Sequence, residues 1–493
     1  DYAFLFLLGI IIKNDYNNMK ILLINLPRYK GISVTRESRC EVLIDSRVDV
    51  PITLLILASI LKQNKYKVNF IDANGLNLTY DVLINIIKKI PYDCIIFTFA
   101  SRIIEYELKI CNLVKSINPS CITIGYSWFA IKYYKDILKE YENLDILIIE
   151  EPFYVIENLI KILIEHVNLS NAKGIAYRDE NFQINRTSEV QYKKDFNDLP
   201  LPAYELLTSF KPYHIISPLL RPYSLIYAGK GCPFGCTYCN VSGTEYSGRT
   251  PEKIIEELKL LKKIGKVKYV WFFDEIFTID RKKVMLLCQM LIREKIKMKW
   301  FCDSRVDLVD KKLLGLMRRA GCIGISYGVE SGSQKILNLM NKKITIEQAK
   351  NALKWTKQAH IPVQLNLILG YIGENNRTLK ETEIFIRETL PEFLQINIIK
   401  AHESTKFNDI ALKNKWINNT LDWKTKLASP WEKLTDYAPY KLNLWELKGA
   451  FQKMNYYNLK WWFCSIKTLL RNSRLIIPII SIFLKKSESI RLI

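Results

Sequence analysis

The stretch SLIYAGKGCPFGCTYCN, Ser224 to Asn240, decides the reading of this chain. Its first five residues form a short β-rich run. The loop that follows carries Cys232, Cys236 and Cys239 at C-x3-C-x2-C spacing among Gly231, Pro233 and Gly235. Thiolates are soft ligands that suit iron–sulfur clusters or zinc, and a tight glycine- and proline-bearing loop can wrap three sulfurs around one inorganic centre. Structural zinc sites take four protein ligands in paired spacing. No fourth Cys or His stands near this loop, so zinc would need a distant partner such as His214. The spacing therefore points first to an iron–sulfur cluster.

Working outward, the runs SLIYA, VKYVWFF, MKWFCDS, CIGISYG, PVQLNLILG and FLQINII alternate with helical-period segments such as PEKIIEELKLLKKIG. Six β/α units predict an open, partial (β/α)6 TIM-type barrel over residues 222–404, too few to close eightfold, with chemistry at the C-terminal ends of its strands. Upstream, KILLINL, KVNFID, DCIIFTF, CITIG and LDILII are also joined by helical segments. Continuously apolar strands of this kind predict a parallel, doubly wound α/β domain over 19–166. Residues 167–221 break the rhythm with a hairpin, GIAYRDENFQINRT, and the loop DLPLPAYELL, and read as a connector. Beyond 405 the chain is irregular, rich in Trp, Lys and Asn, and expected to be mainly helical. The run Tyr2 to Ile12 is too short to span a bilayer, and Met19 directly precedes KILLINLP, so residues 1–18 are expected to lie outside the fold.

At 493 residues, 49% hydrophobic and 25% charged, the composition is that of a soluble multi-domain protein. The formal charge of +22 suggests an anionic partner, but 27 Tyr, 21 Phe and abundant Ile, Asn and Lys fit an AT-rich coding bias as well. Eleven cysteines without regular disulfide-like spacing favour a reduced, cytoplasmic setting. The cysteines outside the loop fall mostly in apolar runs and read as buried small hydrophobes.

The C-x3-C-x2-C loop after a first barrel strand, with Tyr238 before the third cysteine, resembles the radical S-adenosylmethionine superfamily. The resemblance implies a 4Fe–4S cluster on Cys232, Cys236 and Cys239, with the fourth iron left for the amino and carboxylate groups of S-adenosylmethionine. It also implies reductive cleavage to a 5′-deoxyadenosyl radical, and an electron donor such as flavodoxin or ferredoxin. The order of later strand ends adds to it. WFFDEIFT brings Asp274 and Glu275, where a carboxylate can accept from the cofactor's ammonium, or stand as a solvated pair. FCDSRVD brings Arg305 and SYGVESGS brings Glu330, for the cofactor's carboxylate and ribose, or as a salt bridge to each other. NLILGYIGE brings Gly370 and Gly373, where backbone can approach the adenine.

The layout of doubly wound domain, connector and barrel resembles the cobalamin (B12)-binding branch of that superfamily, whose members methylate unactivated carbon or close rings. It implies a Rossmann-like, B12-binding-type N-terminal domain, and cobalamin as a third cofactor. Family members carry a glycine pair near the fourth strand, whereas this chain reads CITIGYSWFA and has no Gly-Gly dipeptide. The usual D-x-H-x-x-G loop is absent too, since the first histidine is His166, so cobalt would carry no imidazole from that loop. The alternatives are a radical enzyme without cobalamin, whose N-terminal domain serves only as a lid, and an RNA-modifying methylthiotransferase. The latter would need a second cluster on cysteines such as Cys40, Cys94, Cys111 or Cys121. A nucleic-acid partner is not expected. Residues 441–493 carry ten Lys or Arg against Glu446 and Glu488, interleaved with Trp461, Trp462 and Phe463. Such a tail can lie on the anionic inner face of a membrane or dock its apolar face on the barrel; the first would suit a hydrophobic substrate.

Overall fold

The computed structural model describes residues 19–414 except 38–39, 44–46, 91, 191–194, 216–219, 400 and 402–404, and in addition 423–424. The chain divides into two compact units. Of the described residues, the first unit holds those of 19–190 and 198–221 with 423–424, and the second holds 195–197 and those of 222–414.

In the first unit, strands β1 (Lys20–Asn25), β4 (Lys67–Asp72), β5 (Cys94–Thr98), β6 (Ile122–Tyr126) and β7 (Ile146–Ile148) lie parallel in the order β4-β1-β5-β6-β7. These are the five runs read from the sequence as strands. Consecutive residues Ile21 to Ile24 and Ile95 to Phe97 are all fully buried, so both faces of the sheet are covered, which is why the runs are apolar without alternation. The hairpin β8 (Ile175–Arg178) and β9 (Ile184–Arg186) is more than a connector. It continues the same sheet, pairing antiparallel with β7. An open strand edge beside a turn sequence of this kind is satisfied most readily by the next residues in the chain. A second hairpin, β2 (Val34–Glu37) and β3 (Cys40–Leu43), interrupts the passage from β1 to the helix Ile52–Gln63 and has no counterpart in the sequence reading.

In the second unit β10 (Tyr223–Ile226), β13 (Tyr269–Phe272), β14 (Lys299–Ser304), β15 (Cys322–Glu330), β16 (Val363–Leu369) and β17 (Phe393–Ile398) form one sheet in chain order, every neighbour parallel. This is the expected six-stranded partial barrel. Two short strands, β11 (Gly229–Lys230) and β12 (Ser247–Gly248), pair antiparallel at the base of the cysteine loop. Helices start where capping chemistry predicts. Thr250 accepts from the Lys253 amide with Pro251 at the first helical position, and Thr345 forms a capping box with Gln348. Along the strands alternate residues face the helices. Trp300 donates to the Ala320 carbonyl (3.0 Å) and the Tyr327 hydroxyl meets Thr356 (2.9 Å), both fully buried. Burying each such ring stabilises the unit by roughly 1.5–3 kcal/mol. The opposite face carries polar groups: Trp271 donates to Asp303 (2.9 Å) and Asn366 to Ser326 (2.8 Å).

Candidate active site

The cysteine loop begins where β10 ends, and charged side chains fix its base. Asp274, just past the end of β13, accepts from the Ala228 amide (2.8 Å), and Glu275 accepts from the Gly231 amide (2.9 Å). Asp274 is fully enclosed. Burial pushes its carboxyl up to about 7, against the pull of the Ala228 and Gly229 amides and the Lys283 ammonium. The solvated-pair reading of these two carboxylates therefore does not apply: both hold the backbone that presents the cysteines. Gly231 has φ +96°, and a Cβ there would run into the Glu245 carbonyl, so the turn into Cys232 requires glycine.

Within the loop Cys232 donates its amide to Thr244 (2.9 Å), Gly243 donates to the Phe234 carbonyl (2.9 Å), and Cys239 donates to the Cys236 carbonyl (3.3 Å). All three sulfurs are free thiols. Burial raises the Cys232 thiol, opposed by the Phe234 amide and reinforced by Cys239 and Cys236 close by. Among the described residues no three His, Cys, Asp or Glu side chains are gathered as ligands of a single ion. The fit of loop to cluster thus rests on the soft donor set and the absence of disulfides.

The ends of later strands reach the same loop. Arg305 lies over the Phe234 ring, 3.8 Å from its centroid, and is paired with Asp307 (3.0 Å) and the Lys342 carbonyl (2.9 Å). Glu330, at φ +78°, pairs with Lys342 (3.0 Å). Arg305 and Glu330 therefore do not pair with each other, as one sequence reading allowed; each has its own partner. The Lys342 ammonium also donates to the Tyr238 hydroxyl (3.1 Å), and Tyr238 is half-buried, so one ammonium ties the cysteine motif to the end of β15. Asn341 donates to the Gly235 carbonyl (2.7 Å), and Thr237 shares a hydrogen bond with Tyr371 (2.5 Å). Tyr371 stands between Gly370 (φ +82°) and Gly373 (φ +79°), which places both glycines beside the loop's far side. The Gly370 amide donates to Glu374, whose other oxygen is buried with no partner among the described residues; burial raises that carboxyl to about 7.

All ten residues singled out in the sequence thus stand at or next to the C-terminal ends of barrel strands. Lys342, Asn341 and Tyr371 were missed. A lysine in MNKK and an asparagine before it carry no local mark of burial, and only the distant loop gives them a partner.

A parallel barrel whose first strand opens into a three-thiol loop defines an enzyme that works through an inorganic cluster at the strand tops. The Radical SAM superfamily description matches residues 226–386 of this chain. An uncharacterized methyltransferase of Pyrococcus horikoshii is 24% identical over 76% of this chain and 81% of its own length. An anaerobic magnesium-protoporphyrin IX monomethyl ester cyclase of Rubrivivax gelatinosus is 29% identical over 69% of this chain, which spans 62% of that protein. Among solved structures, the radical S-adenosylmethionine methyltransferase TsrM of Kitasatospora setae, with cobalamin and a [4Fe-4S] cluster bound, shares the fold. The TM-score is 0.66 at 13% identity, over 82% of this chain and 77% of that one.

Proposed function

We propose that this chain cleaves S-adenosylmethionine reductively and uses cobalamin to methylate, or otherwise functionalise or cyclise at C–H bonds, a substrate that the sequence leaves unnamed. The observation that carries the reading is the loop of three thiols, none in a disulfide, held by Asp274, Glu275, Asn341 and the Tyr238–Lys342–Glu330 chain. When bound, the cluster supplies the electron that splits the sulfonium and cobalamin supplies a methyl-carrying cobalt. Cys232, Cys236 and Cys239 would hold three irons. Lys342 would hold the Tyr238 hydroxyl and the Glu330 carboxylate in place, the latter for the cofactor's ribose; Arg305, kept against Phe234, would meet its carboxylate; Gly370 and Gly373 would admit its adenine. The proposed domain limits are 19–166, 167–221, 222–404 and 405–493.

For cobalamin the first unit speaks less directly. The crevice between β1 and β5, the point where the strand order reverses and ligands usually enter, is filled by the protein's own Arg36–Glu107 ion pair (2.5 Å). A Cβ on Gly125 would touch the Phe99 ring at 3.0 Å, so the glycine of β6 makes room for a phenylalanine. Nε2 of His214 is buried without a partner, its Nδ1 lying against the Pro212 carbonyl (3.0 Å), which leaves it enclosed by protein. Support for cobalamin is therefore the shared architecture, and any corrin would lie outside that crevice.

A flavodoxin- or ferredoxin-type donor is the reductant this chemistry calls for. No helix among the described residues is long and apolar enough to cross a membrane. The tail 441–493, read as facing an anionic membrane surface on the cytoplasmic side, lies outside the described residues. Anaerobic reconstitution with iron, sulfide and hydroxocobalamin, followed by gel filtration and product mass spectrometry, tests the reading. Both 5′-deoxyadenosine and S-adenosylhomocysteine, with cobalt retained near one per chain, are expected. Iron retained without cobalt would leave a radical enzyme whose first unit binds no corrin.

A further inference from the structure

The strongly basic charge of the chain has a location. At the N-terminal end of the barrel strands, opposite the cysteine loop, two neighbouring connections leave helices Pro251–Gly265 and Arg281–Arg293 and enter β13 and β14. The first exposes Lys262, Lys263, Lys266 and Lys268; the second exposes Lys295, Lys297 and Lys299. The connections are joined to each other, since the Lys299 amide donates to the Lys268 carbonyl (3.0 Å) and Lys259 pairs with Glu294 (2.6 Å). Across residues 258–268 and 291–299 there are eight lysines and Arg293 against Glu294 alone. Lys259 and Arg293 share that one acid, and the seven exposed lysines have no ion-pair partner among the described residues. Amid them stand Ile264 and Ile292, each 41% exposed.

We propose that this rim is a docking surface for an anionic lipid membrane. The two isoleucines are no more exposed than other large apolar residues of the surface; what marks them is their place inside the lysine cluster. On an anionic leaflet the lysines meet lipid phosphates while their stems and the two isoleucines enter the headgroup boundary. A nucleic acid fits less well. Such surfaces interleave cations with exposed aromatic rings that stack on bases and favour arginine, whereas the rim presents isoleucine and is lysine in all but one cation. Docking here leaves the strand tops, and with them the cysteine loop, turned away from the lipid.

The test is vesicle flotation of the full chain with phosphatidylcholine alone and with about 30% phosphatidylglycerol added, at about 0.1 M and about 0.5 M salt. Flotation is expected only with the anionic vesicles, and to fall at the higher salt. The variant Lys263→Glu, Lys266→Glu, Lys295→Glu, Lys297→Glu should lose at least about tenfold in partitioning, since each lysine near such a surface is worth roughly fivefold. Ile264→Ser with Ile292→Ser should lose about threefold or more at unchanged charge. Far-ultraviolet circular dichroism and iron content matching the unaltered protein would show both variants folded. Undiminished flotation of the lysine variant, or flotation abolished only by truncation after residue 470, would overturn the proposal in favour of the tail. Equal binding to neutral vesicles, or binding to single-stranded RNA but not to vesicles, would overturn it as well.

Discussion

The two parallel sheets treat the same position in opposite ways. At the C-terminal edge of the first, buried charges are spent on the protein itself. Arg36 pairs with Glu107 and reaches Asn25 (3.0 Å) and the Pro27 carbonyl (2.9 Å), and the other oxygen of Glu107 takes the Ala100 amide (2.5 Å). Beside them Asp72 takes Asn25 (2.7 Å), the Gly75 amide (2.7 Å) and Tyr213 (2.5 Å). At the same edge of the second sheet, charges hold a loop whose own reactive groups are three thiols in no disulfide. Strand ends gather polar groups in either case. Whether the edge becomes a site depends on whether those groups close on one another or on the backbone of a loop with donors to spare.

Three measurements can break or sharpen this contrast. The largest effect belongs to the open edge. Cys236→Ala should take iron from about four per chain to near zero and abolish 5′-deoxyadenosine formation, because two thiolates cannot hold the cubane with one iron open. Unchanged iron and cofactor cleavage would end the assignment of the loop.

Next comes the closed edge. Arg36→Ala strands the Glu107 carboxylate, whose pKa burial already raises against the pull of Arg36, and should cost about 3–5 kcal/mol in denaturant unfolding. Arg36→Met with Glu107→Leu should recover most of that loss. A cost below about 1 kcal/mol for the single variant would mean that the pair does not seal the crevice, and that a corrin could enter there.

The smallest effect is a pH dependence. The Glu374 carboxyl titrates near 4.5 when exposed and at about 7 in the folded chain. Between those values the folded state holds the extra proton, so rising pH removes stability from the protein through this window. Glu374→Gln keeps an acceptor for the Gly370 amide and cannot ionise. It should be more stable than the unaltered chain by about 1–3 kcal/mol near pH 8, with the gain fading as pH falls from about 7 towards 4.5. A gain independent of pH in thermal melts would show that the buried oxygen finds a partner.

Much of this was legible in the chain alone because it is written locally. Apolar runs at strand length, helical periods between them and a cysteine spacing within one loop need no partner to be read, and they placed both sheets and the thiols. The hairpin β2–β3 was not legible: VTRE has no apolar alternation to mark it, and its residues Thr35, Arg36 and Glu37 are buried by polar partners. The hairpin β8–β9 was legible as a hairpin but not as a sheet edge, since its pairing with β7 follows from a free edge that only the folded sheet presents.

The sequence by itself determined the architecture, the three-cysteine loop and the order of strand ends that surround it. The tertiary structure alone decided which charges are buried and with whom. Lys342 meets a tyrosine 104 positions away, and Arg36 a glutamate 71 positions away. The physical reason is that periodicity and ligand spacing are properties of neighbouring residues, whereas the cost of burying a charge, and the partner that offsets it, exist only once distant segments have excluded water together.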